Sequence, residues 1–225
     1  MEQNITASRQ VAAASGTKTS WTAARDATSA NTFVEYSTST DNATTLVEFF
    51  SSGRGGGTYV VERSFFFFDL SSINGTITGM ELYIYGVTND TIDQVMVAKS
   101  DAFGGEGGSA FVATDFDNWF PDNPTAYLDS SHTWSINQNN ILSLNSTAVS
   151  DANTDLALTM VVLGNDYDFE NVDPGGDISR DGGVRFKNST DPVKLIVTYV
   201  PKIIDVSAAN IIGVSATSIS NVIGV

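Results

Sequence analysis

The chain has 225 residues, enough to bury a full core, and all-β sandwiches of this length are often one domain. Its formal charge of −15 argues against nucleic acid, whose binding needs clustered cations, and against an anionic membrane surface. With no cysteine, disulfides and thiolate metal sites are excluded. No run approaches the ~20 apolar residues of a membrane span. Met1-Glu-Gln-Asn-Ile-Thr6 lacks the basic-then-apolar pattern of a secretory signal, so none is expected. Glycine, serine, threonine, asparagine and aspartate are abundant, the composition of many strands joined by polar turns. The Asn-x-Ser/Thr sites at Asn4, Asn42, Asn74, Asn89, Asn145 and Asn188 fit that composition.

Residues 1–30 are rich in Ala, Ser and Thr, with Trp21 the only large apolar anchor, and no period is sustained. This stretch reads as an N-terminal arm or an edge segment that orders against a partner. The body runs over 31–200, with strands expected at 32–36, 45–50, 58–69, 77–86, 94–99, 110–114, 156–163, 183–187 and 193–200. Its centre is Arg63-Ser-Phe-Phe-Phe-Phe-Asp-Leu70. In an extended strand Phe65 and Phe67 point to one face and Phe66 and Phe68 to the other. Each ring gains about 1.5–3 kcal/mol on full burial, so both faces should be covered. Asn74-Gly75 is a turn dipeptide that tolerates positive φ. After it Met80, Leu82 and Ile84 alternate with Glu81, Tyr83 and Tyr85. Further linkers carry turn chemistry at 52–57, 104–108, 121–124 and 173–176, and Ile141-Leu-Ser-Leu144 suggests a short helix. Strands at this spacing without alternating helices predict an all-β, antiparallel β-sandwich, most simply a jelly roll.

Within the body, Trp119-Phe120, Tyr127 and Trp134 lie near a Pro-rich loop, and aromatics at a sandwich rim can stack on sugars or plug the end of a core. Asp129-Ser-Ser-His132 holds the one histidine, but neighbours in a strand or turn diverge and do not build a Ser/His/Asp triad. Carboxylates are plentiful without a spacing that singles out a catalytic pair, and the glycine clusters lack the Lys-Ser/Thr of a phosphate loop. No enzymatic activity is therefore expected. Asn165-Asp-Tyr-Asp-Phe-Glu-Asn-Val-Asp173 gathers oxygen ligands after an apolar strand. There Asp166, Asp168 and Asp173 are candidate Ca²⁺ ligands, against the alternative of a solvated acidic loop, since the glycine of an EF-hand loop is missing. No other cofactor is expected.

Residues 201–225 change character. Ile203-Ile-Asp-Val206, Ile211-Ile-Gly-Val214 and Ile219-Ser-Asn-Val222 repeat every eight residues, and Val225 closes the run. Eight residues rotate a helix by about 80° per repeat, so no straight stripe forms, and β-branched residues favour extended structure. Ile203, Val206, Ile211, Val214, Ile219, Val222 and Val225 therefore read as an extended assembly tail, or as a last strand folding back on its own domain.

The run Arg63-Ser-Phe-Phe-Phe-Phe-Asp-Leu-Ser-Ser-Ile73, with Met80-Glu-Leu-Tyr-Ile-Tyr85, Gly182-Gly-Val-Arg-Phe186 and Lys194-Leu-Ile-Val-Thr-Tyr199, resembles jelly-roll modules of surface proteins and bacteriophage virion proteins. The tail is similar to the Ile-x-x-Val-x-Gly-Val repeats that end phage tail and head-appendage proteins. Together the resemblances cover residues 58–225. They imply a structural virion protein, a capsid decoration, head fibre or tail component, partnered by other virion proteins and by copies of itself. The alternative they leave is a carbohydrate-binding module for a host-surface glycan, with Trp119, Tyr127 and Trp134 as its stacking residues.

Overall fold

The computed structural model describes residues 1–36, 58–90, 94–105, 107, 109–174, 183–187 and 192–202. The strand expected at 45–50 and the tail from Ile203 onward lie outside the described residues.

Segments rich in β-branched and aromatic residues pair into two antiparallel sheets. The first runs β1 (Glu2–Thr6), β11 (Lys194–Pro201), β5 (Gly75–Asp90) and β10 (Gly183–Lys187), with β8 (Gln138–Ser143) also paired to β5. The second runs β3 (Thr32–Glu35), β2 (Arg9–Ala14), β4 (Glu62–Asp69), β9 (Ala157–Gly164), β6 (Gln94–Lys99) and β7 (His132–Thr133). The chain changes sheet between β1 and β2, β4 and β5, β5 and β6, β7 and β8, β8 and β9, and β9 and β10. This is the expected antiparallel β-sandwich, with the alternation of a jelly roll.

Strand β4 lies between β2 and β9, and all four of its phenylalanines are buried. The two faces are covered by different things. On the Arg63, Phe65 and Phe67 face lies an irregular segment running through residues 101–121. Phe65 packs on Phe111, which also meets Phe103, while Phe116 and Trp119 stack on Arg63. Gly107 closes over Phe67: a Cβ there would come within 2.0 Å of the ring, and its φ of +77° suits glycine. Phe66 and Phe68, whose ring centroids are 6.5 Å apart, are left for the interface with the first sheet.

Four expectations are corrected. Residues 1–30 do not stand apart as an arm. β1 is an edge strand, in keeping with the edge-segment reading, but β2 is interior and α1 (Trp21–Arg25) is buried through Trp21, Ala24 and Arg25. Small side chains on β2, Ala12 to Ala14, let it lie beside the bulky β4. Residues 110–114 form no strand. The Asp115 carboxylate accepts from the Val112 N–H at 3.0 Å and the Phe103 N–H at 3.1 Å, which winds Ala113–Asp117 into a 3₁₀ turn. Ile141–Leu144 is not helical, because β8 alternates there with Ile141 exposed and Leu142 buried. The helix α2 (Ser146–Asp155) begins just after, capped by the Asn145 side chain, which accepts from the N–H groups of Thr147 and Ala148. Finally, neither Asn74 nor Gly75 takes the positive φ that the dipeptide tolerates, and the strands they join, β4 and β5, belong to different sheets. Gly75 is required instead by close approach, a Cβ there falling 2.2 Å from the Val200 carbonyl.

Helix α2 fastens the sandwich. Asn153 accepts from the Ile77 N–H and donates to the Ile77 carbonyl, both at 2.8 Å, taking the place of a strand partner on β5. Phe66→Ala is expected to lower the unfolding free energy by about 3–5 kcal/mol, measured by urea denaturation. A variant as stable as the parent would mean that β4 is not central.

Candidate functional site

The most heavily buried charges belong to Arg63 and Asp168, both without solvent exposure. Arg63 sits on β4, on the same face as Phe65, so its guanidinium enters the covered layer. Asp168 comes from the single π-turn Asn165–Phe169 that follows β9, the neighbour of β4. The pair is bidentate: Arg63 Nε donates to Oδ2 and Nη2 to Oδ1, each at 2.8 Å. Two more guanidinium hydrogens reach the Arg25 carbonyl at 2.6 Å and the Phe116 carbonyl at 3.2 Å. Arg25 extends the node, donating to the carbonyls of Asp168 and Pro121 and to the Asp26 carboxylate. Both arginines lie over the Trp119 ring, at 4.6 Å for Arg63 and 5.4 Å for Arg25. Such a node is densely hydrogen-bonded and closed to solvent, so it organises the fold.

This geometry decides several sequence-predicted sites. Asp168 is not free to bind Ca²⁺, because Arg63 occupies both of its oxygens. Asp166 accepts from Asn165 Nδ2, and Asp173 faces the Tyr59 phenol, whose pKa is pushed up by burial first and then by that carboxylate. The three acids therefore do not converge. Among the described residues no group of three or more His, Asp or Glu side chains could hold a metal ion. Trp119, Tyr127 and Trp134 are likewise corrected as a sugar platform. All three are buried, with Trp119 and Tyr127 at 0% and 1% exposure, so no ring face is open to stack on a glycan. They fill the covering layer and the end of the core. His132 pairs with β6 through Val95, and its Nε2 stands 3.3 Å from Asn140 Oδ1. The neighbouring Ser131 hydroxyl donates to Gln94 Oε1, so it is not aligned on the imidazole. The tail residues Ile203, Val206, Ile211, Val214, Ile219, Val222 and Val225 lie outside the described residues.

A polar cleft of about 280 Å³ has no counterpart among the sequence-based expectations. It lies where β6, β9 and α2 meet, lined by Lys99, Asp101, Tyr127, Asp151, Asp155 and Thr159. Asp151 Oδ2 accepts from Lys99 Nζ at 2.9 Å and from the Tyr127 hydroxyl at 2.8 Å. The Lys99 pKa is raised, chiefly by that hydrogen bond working against partial burial. The Tyr127 phenol is pushed upward by burial first and by Asp151 second. Both groups are thus held protonated at neutral pH, and neither supplies a base or a nucleophile. Nothing in the sequence places Lys99, Tyr127 and Asp151 together, since they come from three separate elements. Arg63 is more legible: a cation on the buried face of an aromatic strand demands a buried carboxylate, and the acidic run after β9 holds one.

No protein-family model matches the chain, and no curated protein matches it.

Two outcomes follow from the node and the cleft. Asp168→Asn leaves Arg63 buried without its counter-charge and is expected to cost about 3–5 kcal/mol by denaturant melts. Replacing Arg63 and Asp168 together by Met and Leu should recover a large part of that loss. At Lys99 and Tyr127 the folded-state pKa values lie above the ordinary 10.5 and 10.0. Their contribution is therefore complete below those values and is lost as pH rises through the folded-state ones. Thermal melts should fall off above about pH 10, and Tyr127→Phe should flatten that alkaline limb.

Proposed function

We propose that this chain is a non-catalytic structural protein of a bacteriophage particle, a decoration, head-fibre or tail-associated component that joins its assembly through residues 203–225. The observation carrying the reading is how the body delivers that segment. β11 sits inside the first sheet, between β1 and β5, and runs to its end at Pro201. Val200 is 60% exposed there, and the Lys202 N–H is held by the Asn74 carbonyl. The chain thus leaves an already completed sheet from one exposed corner, and an apolar octad repeat follows in the sequence. Ten Ile and Val side chains between Ile203 and Val225, with Asp205 the one charge among those residues, need a partner's surface to be buried. Half-burial of each would supply about 1 kcal/mol, or roughly 10 kcal/mol together, while ordering their backbone costs about 1–2 kcal/mol per residue. The gain becomes net only when a partner adds backbone hydrogen bonds and its own apolar surface.

A non-catalytic role is supported by the protonated Lys99 and Tyr127 and by the engagement of the Ser131 hydroxyl with Gln94 and of the His132 ring with Asn140. The resemblance of the Arg63–Ile73 run and of the tail to virion proteins supplies the setting.

Truncation after Lys202 should leave a soluble body that melts within a few degrees of the full chain and no longer enters its assembly. Light scattering of both forms, followed by incorporation into particles, tests this. A truncated form that assembles like the full chain defeats the attachment role, and one that fails to fold makes the segment part of the domain.

A further inference from the structure

If residues 203–225 carry assembly, some surface must receive them, and the geometry points to the outer edge of β1 as the acceptor for the C-terminal segment of a second copy of this chain. β1 pairs only with β11 among the described residues. Met1 and Tyr199 exchange both backbone hydrogen bonds, and the Ala7 N–H donates to Val193, so the odd-numbered residues face β11. By the alternation of an antiparallel ladder, the N–H and C=O groups of Glu2, Asn4 and Thr6 point outward. The side chains of all three residues are exposed.

This edge lacks the devices that usually block strand addition. β1 contains no proline and no lysine, its register with β11 is unbroken, and Glu2 is its sole charge. By contrast, β3 at one edge of the second sheet carries the Arg9–Glu35 ion pair, and β7 at the other is two residues long. Among the described residues β1 is therefore an open edge for main-chain pairing, the mode in which an added strand supplies affinity through its backbone.

The occupant follows from the tail's own chemistry and from where it departs. An even repeat of eight keeps register with a strand's period of two, so Ile203, Ile211 and Ile219 fall on one face and Val206, Val214 and Val222 on the other. One octad spans about 26 Å and β1 about 17 Å, so a single repeat covers the edge with residues to spare. With Asp205 its one charge, the segment approaches the acidic body without strong repulsion. The same copy's segment is poorly placed. It leaves beside Met1, so on the outer edge it would run parallel to β1. A second copy can lie antiparallel, the geometry with the better hydrogen bonds. Donation from one copy to the next is heterologous and yields rings or filaments.

The test uses the full chain with Asn4→Pro. This substitution removes one outward donor and obstructs an incoming strand, while the ladder to β11 keeps its bonds. The expected result is an association midpoint raised about tenfold or more in light scattering, with the melting temperature of the unassociated protein unchanged. A second readout, amide exchange in the unsubstituted chain, should show Glu2, Asn4 and Thr6 exchanging fast when dilute and slowly when associated. Should Asn4→Pro unfold the protein, amide exchange decides alone. If those amides stay fast in the associated state while truncation after Lys202 abolishes association, the acceptor is elsewhere and the inference falls, though the tail still drives assembly. If truncation leaves association intact, the attachment role itself falls, whatever the behaviour of β1.

Discussion

The buried pairing of Arg63 with Asp168 is the constraint on which the rest of the body depends. Taking a guanidinium and a carboxylate out of water is costly, and the cost is offset only by good pair geometry and by further hydrogen bonds to the two groups. Here the acceptors are drawn from separate parts of the chain: the turn after β9, the end of α1 at Arg25, and the 3₁₀ turn at Phe116. One side chain on the central strand thus pins the surrounding irregular segments in place. Those segments form a third layer outside the second sheet, which is why an aromatic run can be dry on both faces where the described residues form two sheets. The pair's contribution is therefore one of arrangement, since an apolar substitute of the same shape could match its energy but would not single out these carbonyls.

The covering layer also explains the fate of the aromatics between residues 111 and 134. Phe111 and Phe116 meet β4 directly, while Trp119 lies beneath two cations. Binding faces need an open ring, and the rings of Phe111, Phe116, Trp119, Tyr127 and Trp134 are consumed by the arginines and by the core, whereas Phe120 is 49% exposed. What remains on the surface near α2 is polar. In that cleft Asp151 satisfies Lys99 and Tyr127 at once, so the helix is tied to β6 as well as to β5 through Asn153.

How much of this is legible in the sequence depends on whether a segment's structure follows from its own pattern. The phenylalanine run predicts coverage on both faces, and the alternation at Met80, Leu82 and Ile84 predicts a strand with one face in the core; both hold. β2 cannot be read, because Ala12, Ala13 and Ala14 carry no periodic signal and become a strand only because bulky neighbours on β4 need a thin partner. The helix falls a few residues later than its pattern suggests, since Ile141 and Leu144 fit either period and the deciding group is the Asn145 cap. Residues 110–114 have the composition of a strand, but one carboxylate, Asp115, captures two backbone donors. Of the sites, Trp119, Tyr127 and Trp134 are visible as aromatics in one stretch, but sequence does not say which way a ring faces. The separation of Asp166, Asp168 and Asp173 likewise depends on Arg63, a residue more than a hundred positions away.

The pairing of β1 with β11 has a kinetic consequence. The contact between Met1 and Tyr199 closes across 198 positions of sequence, and β2 must find β4 over a gap of its own before the second sheet has a centre. Native contacts of such long range are slow to form, because loop closure precedes any reward from packing. On a ribosome the first sheet cannot finish until β11 has emerged, so Glu2–Thr6 waits for its partner while every strand from β2 to β10 is made. During that interval the bulky strand β4 is already available to cluster with whatever apolar surface is near. Such a body should refold slowly from denaturant, with a rate set by topology and only weakly sensitive to local helix propensity in α1 or α2.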